Sequence, residues 1–139
     1  MTASSMRFSV LAVICGLASP SAWSGEYQCD QVGSNSAVYE CLAKALRIED
    51  NKLKRKVSTL IQSVKQSDHE AAYKEIVVKN VLAADKQWRA LLAAECALTG
   101  FYYFGGTLQG NAELECKVLR TAERTKFVSE SDIYKLLVD

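Results

Sequence analysis

The chain has 139 residues, with 17 basic side chains against 16 acidic ones and a single histidine. That length is one domain's worth, and near-neutrality argues against nucleic acid or an anionic membrane surface as the main target. Five cysteines without a CxxC spacing or clustered histidines give no zinc signature and no thiol-redox signature.

The first 24 residues read as a secretory signal. Arg7 is their only charge, Phe8 to Ala18 form an apolar run, and Ser19-Pro20-Ser21 break it. Ala22 and Ser24 occupy the small-residue positions of a cleavage site. The run is too short to cross a bilayer, which takes about 20 residues in a helix. Ile14 stands before Cys15 where a lipid-attachment signal would carry a small residue, so no stable membrane anchor is expected. The predicted division is 1-24 as signal peptide and 25-139 as a single helical domain, periplasmic or secreted. Removing Arg7 with the leader brings the basic residues level with the 16 acidic ones. Four cysteines remain, and in an exported chain they imply two bridges in one of three pairings.

The only proline is Pro20, so the mature chain can build long unkinked helices. Val38, Leu42, Leu46, Leu53, Val57, Leu60, Ile61 and Val64 recur at three- and four-residue spacing, which predicts a helix over 36–66 capped by Asn35 or Ser36. The basic run Lys52 to Lys56 falls on this helix and reads as a solvated face. Ser67 and Glu70 have capping-box spacing and open a second helix marked by Ala72, Ile76, Val81, Trp88 and Leu92, ending before Gly100. The two helices are nearly equal, about 45 Å each, and their short junction predicts an antiparallel hairpin. Gly100 to Gly110, with four glycines and four aromatics, reads as a loop. Asn111 then caps a third helix carrying Leu114, Val118 and Ala122, which either breaks near Ser129 to Ser131 or continues. The predicted fold is all-α, a three-helix bundle with a long antiparallel helical hairpin.

The hairpin brings Cys41 and Cys96 to one pole, and a third helix running back along the second starts Cys116 there too. Trp88 lies eight residues before Cys96 and Arg124 eight after Cys116, so the two should be level. Reflection through the turn places Asp50 at the height of Asp85, giving one layer of Asp50, Asp85, Trp88 and Arg124.

Cys29, Cys41, Asp50 with Leu53, Trp88 with Cys96, Gly105-Gly106, and Cys116 with Thr121 and Arg124 appear in an order that resembles the LprI-like lysozyme-inhibitor family. The likeness spans about Cys29 to Val128. The chain departs from that pattern at Lys54, Val57, Asp85, Leu92 and Ala93. The resemblance implies a disulfide-stapled bundle with local pairing, Cys29 to Cys41 and Cys96 to Cys116. The competing pair allowed by the pole geometry is Cys41 to Cys96. The resemblance further implies a protein partner, a lysozyme or another wall-degrading enzyme, blocked by steric occlusion of its glycan cleft. Two other expectations stay open: a periplasmic immunity protein, and a structural or assembly factor of the bacterial envelope with no lysozyme target.

Trp88 reads as a core anchor. Arg124, on the inner side of its helix, should pair with Asp50 or Asp85 or else lie in solvent. His69 sits at a helix start as a surface residue. No nucleophile has a base and an orienter in motif form, so no enzyme, catalytic residue, cofactor or metal is expected. Tyr102, Tyr103, Gly105 and Gly106 form the candidate partner-binding loop, because aromatic rings on a pinned loop supply contact area at low ordering cost. The alternative is that these rings cap the open end of the bundle.

Overall fold

A computed structural model describes residues 27–139, and the predicted leader lies outside the described residues. A 3-10 turn (Cys29–Gln31) precedes four helices: α1 (Asn35–Gln66), α2 (Ala71–Phe101), α3 (Gln109–Glu130) and the short α4 (Asp132–Lys135). No strand occurs among the described residues. The all-α, disulfide-stapled three-helix bundle expected from the sequence is therefore the architecture. Asp50 on α1 meets Arg89 on α2, while Asn111 at the start of α3 meets Asn35 at the start of α1. α2 thus runs antiparallel to α1, and α3 returns parallel to α1.

α1 buries Leu42, Ala45, Leu53, Val57, Leu60 and Val64 along one stripe. Its lower half joins Val77 and Val81 of α2 and Val128 of α3 in the main core, where Leu53 and Val64 are fully buried. α3 packs widely against both long helices, and the α1–α2 contact is the smallest of the three. Midway along, α1 and α2 also face each other through charged residues, Asp50, Asp85 and Arg89. The apolar surface that completes the bundle comes from α3.

The helix ends differ from the sequence expectation in four places. Ser34, not Asn35 or Ser36, caps α1, its hydroxyl accepting from the Ala37 amide at 3.3 Å. Ser67 closes α1 rather than opening α2, because its hydroxyl donates to the Val64 carbonyl at 2.8 Å. α2 begins after Glu70, which caps no amide with its side chain. Gly100 is helical, and α2 continues through Phe101; a Cβ at Gly100 would stand 3.2 Å from the Gln109 carbonyl oxygen, so the glycine lets the start of α3 close onto α2.

The segment read as a loop is accordingly shorter, a set of turns over 102–108. Its left-handed residue is Gly105, at φ 76°. Asn111 is not a cap but a buried first-turn residue of α3, whose Nδ2 donates to the Asn35 carbonyl at 3.3 Å. At the other end α3 breaks at Ser131, which adopts extended backbone (ψ 130°). The chain then folds back, so that Tyr134, Leu137 and Val138 pack on the core.

Both disulfides are the local pairs, Cys29–Cys41 and Cys96–Cys116. They lie at the same pole, the first tying the 3-10 turn to α1 and the second tying α2 to α3. Replacing Cys96 and Cys116 together with Ala should lower stability by roughly 3 kcal/mol on the chain-entropy scale. Leu53→Ala, at a site with 0% exposure, should cost about 2–5 kcal/mol. Urea unfolding followed by helical signal measures both, and an unchanged midpoint for either would contradict this account of the bundle.

Candidate functional site

Two groups of side chains stand out, one midway along the bundle and one at the disulfide pole. In the middle, Asp50 and Asp85 come together, but Arg124 does not pair with either carboxylate. Arg89 does: its Nη1 donates to Asp50 and its Nε donates to Asp85 at 2.8 Å. Lys54 adds a further ion pair to Asp50 at 2.8 Å. The sequence carried a signal for this, since Asp85 and Arg89 are four apart on one helix and such residues are neighbours on its surface.

Arg124 instead lies among aromatic rings. Its guanidinium carbon is 5.7 Å from the centre of Trp88, 5.3 Å from Phe127 and 5.9 Å from Tyr134. Its Nη2 donates to the Tyr134 hydroxyl at 3.0 Å. The ring faces supply the negative potential that a carboxylate would otherwise provide. Two buried polar atoms of this layer, Arg124 Nε and Asp85 Oδ1, have no hydrogen-bond partner. Trp88 is half-buried and packs against the edge of the core.

Sequence reading also passed over Glu49, 3% exposed on the inner stripe of α1. It is compensated by the Tyr27 hydroxyl and by Lys52 Nζ, each donating at 2.8 Å. Lys52 is therefore not simply part of a solvated basic face, whereas Lys54, Arg55 and Lys56 are exposed. Nothing in the spacing of Glu49 set it apart from the other charged residues of α1.

At the pole, the aromatic turn points outward. Tyr102 is 84% exposed and Phe104 76%, with Tyr103 less so at 41%. Tyr102 and Tyr103 meet edge to face at 5.0 Å, and Phe101 lies 6.0 Å from Phe104. These rings support one another instead of capping the bundle. The turn is tied down by the Asn35 Nδ2 bond to Thr107 Oγ1 at 2.9 Å and by the Gly105 amide on Gln109 Oε1 at 3.3 Å. A side chain at Gly106 would press on the Tyr103 carbonyl, 3.1 Å from the position of a Cβ. Beside the turn, a cleft of about 360 Å³ opens between the 3-10 turn, the start of α1 and the first turns of α3.

Among the described residues, no group of three or more His, Cys, Asp or Glu is placed to hold a metal ion. No described helix is long and apolar enough to cross a membrane. The pole presents apolar rings and hydrogen-bonding groups, an arrangement suited to contact.

Burial alone would raise the Asp50 carboxyl, but the bonds from Lys54 and Arg89 outweigh it and hold the group below its ordinary value. Burial likewise opposes the charge on Arg89, and the carboxylates of Asp85 and Asp50 push its value up. A lowered carboxylate contributes stability above its unfolded value and loses it as pH falls through the folded value. Arg89→Ala should therefore cost about 1–3 kcal/mol near neutrality by leaving the half-buried Asp85 unpaired and Asp50 with only the exposed Lys54. The gap from wild type should narrow as the pH falls through the lowered Asp50 value, where that ion pair is lost. Arg124→Ala, which strands no carboxylate, should show no such narrowing. Melting temperatures across the acid range test this, and parallel curves for wild type and Arg89→Ala would refute the ion-pair account.

The family model described as lysozyme inhibitor LprI matches residues 29–127. No curated protein and no solved structure matches the chain. The matched span holds both disulfides, the polar layer and the aromatic pole, and by that match the chain belongs to the LprI lysozyme-inhibitor family.

Proposed function

We propose that the protein is exported and binds a lysozyme or a related wall-degrading enzyme through its disulfide pole, blocking access to the glycan cleft. One observation carries this reading: in a member of a family described as lysozyme inhibitors, the most exposed aromatic rings, Tyr102 and Phe104, are gathered on one turn beside a disulfide. Exposed large apolar groups in one patch mark interaction surfaces. The Cys96–Cys116 bridge and the Asn35–Thr107 bond hold the turn before any partner arrives, which lowers the ordering cost of association. Inhibition of this kind needs no chemistry from the inhibitor, only a rigid surface that fits.

Export follows from the leader at 1-24, leaving 25-139 as the working domain. Protein recovered from the envelope or medium should begin at Gly25, and its four cysteines should resist alkylation until reduced. An N-terminus that retains Cys15, or a thiol that labels without reduction, would remove the basis for export.

Changing Tyr102 and Tyr103 together to Ala should raise the inhibition constant at least about tenfold, or 1.4 kcal/mol. Helical content should stay at the wild-type level, since neither ring is in the core. Failure of the wild-type protein to slow lysozymes of several classes would sink the inhibitor reading. Inhibition that survives the double change would move the contact away from this turn.

A further inference from the structure

We infer that the cleft beside the aromatic turn is a receptor for a basic side chain, arginine or lysine, presented by a protein partner. The inference rests on the reading of this pole as the protein-binding end, and adds what the partner must offer. The cleft is about 360 Å³, within the usual range of roughly 300–1,000 Å³ for preformed sites. Leu42 and Val118 form its buried floor, and Leu108 and Leu119 contribute apolar wall. That surface can cover an aliphatic stem.

The polar groups at the cleft determine the head group. Asp30 and Glu115 are both on its lining, and no lysine or arginine is. Neither carboxylate takes part in an ion pair within the described residues. Asn111, only 8% exposed, spends its Nδ2 on the Asn35 carbonyl. Its Oδ1 has no donor within the described residues, so a nine-tenths-buried side chain on the lining presents an unused acceptor. α1 and α3 both begin at the rim, and each helix start contributes about half a positive charge that fades within one turn. Two full carboxylate charges exceed that contribution. The lining is therefore net negative and rich in acceptors over an apolar floor, which complements a donor-rich cation on an alkyl stem.

The walls are fixed in advance. Cys29–Cys41 anchors the 3-10 turn that carries Asp30, and Cys96–Cys116 anchors the part of α3 that carries Glu115. Tyr103 and Leu108 line the cleft as well, so it is continuous with the exposed turn. A partner seated on the rings would carry a neighbouring basic side chain directly over the opening.

The test is an NMR titration of the mature protein, observing the methyl groups of Val38, Leu42, Val118 and Leu119. N-acetyl-arginine methylamide is the probe, and N-acetyl-citrulline methylamide, with the same stem and a neutral head, is the control. Arginine should give saturable shifts confined to the cleft, with citrulline binding at least about tenfold more weakly. The variant Asp30→Asn with Glu115→Gln, at two exposed positions, should lose that preference while keeping wild-type helical content. Absence of saturable shifts, equal binding of citrulline, or an unchanged preference in the variant would overturn the inference. The result stands apart from the lysozyme assay. Inhibition without arginine binding refutes the cleft alone, and arginine binding without inhibition refutes the lysozyme reading alone.

Discussion

The position of α3 is the constraint on which the rest of the molecule depends. α1 and α2 meet midway through charge, Asp50 and Asp85 on Arg89, and nearer their shared turn through apolar core residues such as Val64 and Val77. α3 closes the bundle with the buried Val118, Thr121 and Val128 and is held at two levels. At the pole, the Cys96–Cys116 bridge and the close approach at Gly100 fix where it starts. Farther along, Arg124 lies against Trp88, and Val128 enters the core between the long helices. Because α3 also forms a wall of the cleft and follows directly on the aromatic turn, the same constraint that completes the bundle shapes its exposed end.

Burial of charge in this layer is managed in two different ways. Arg89 is compensated by full opposite charges, so its stabilising effect depends on carboxylates that titrate. Arg124 is compensated by ring faces and by the Tyr134 hydroxyl, which accepts its hydrogen bond. The two arginines stand on opposite sides of Trp88 in function: one links helices through ions, the other through contact area. Arg89 fixes the height at which α1 and α2 pass each other, and Arg124 that of α2 and α3.

The helices were legible because a 3.6-residue periodicity and the absence of proline leave few alternatives. The pole was legible because the hairpin gathers Cys41, Cys96 and Cys116 at one end; the choice of local pairing over Cys41 to Cys96 came from the family resemblance. What the sequence hid was the choice among equivalent polar partners. Arg89 and Arg124 both face the interior, and only the rotation of each helix about its axis decides which reaches Asp50. That rotation is set by tertiary packing, not by spacing along the chain. Ser67 and Asn111 show the same limit at smaller scale. Each is a residue type suited to start a helix, yet Ser67 donates to a carbonyl at the end of α1, and Asn111 donates across to α1. A serine or asparagine near a boundary marks the boundary well and its own role poorly, because its side chain can both donate and accept.

Near-neutral charge carries a consequence for how such a protein would capture a partner. With basic and acidic residues almost balanced over the chain, no long-range field draws a charged molecule in, and association rates fall in the ordinary unsteered range of about 10⁵–10⁶ M⁻¹s⁻¹. Tight binding then has to come from slow release. Slow release favours a surface that neither rearranges nor loses order between the free and bound states. The disulfide pole has that character: its rings pack on one another, its turn is hydrogen-bonded to both α1 and α3, and two covalent bridges hold the elements beneath it. Placing Tyr102 and Phe104, the most exposed aromatic rings among the described residues, at the most cross-linked end suits an unsteered binder.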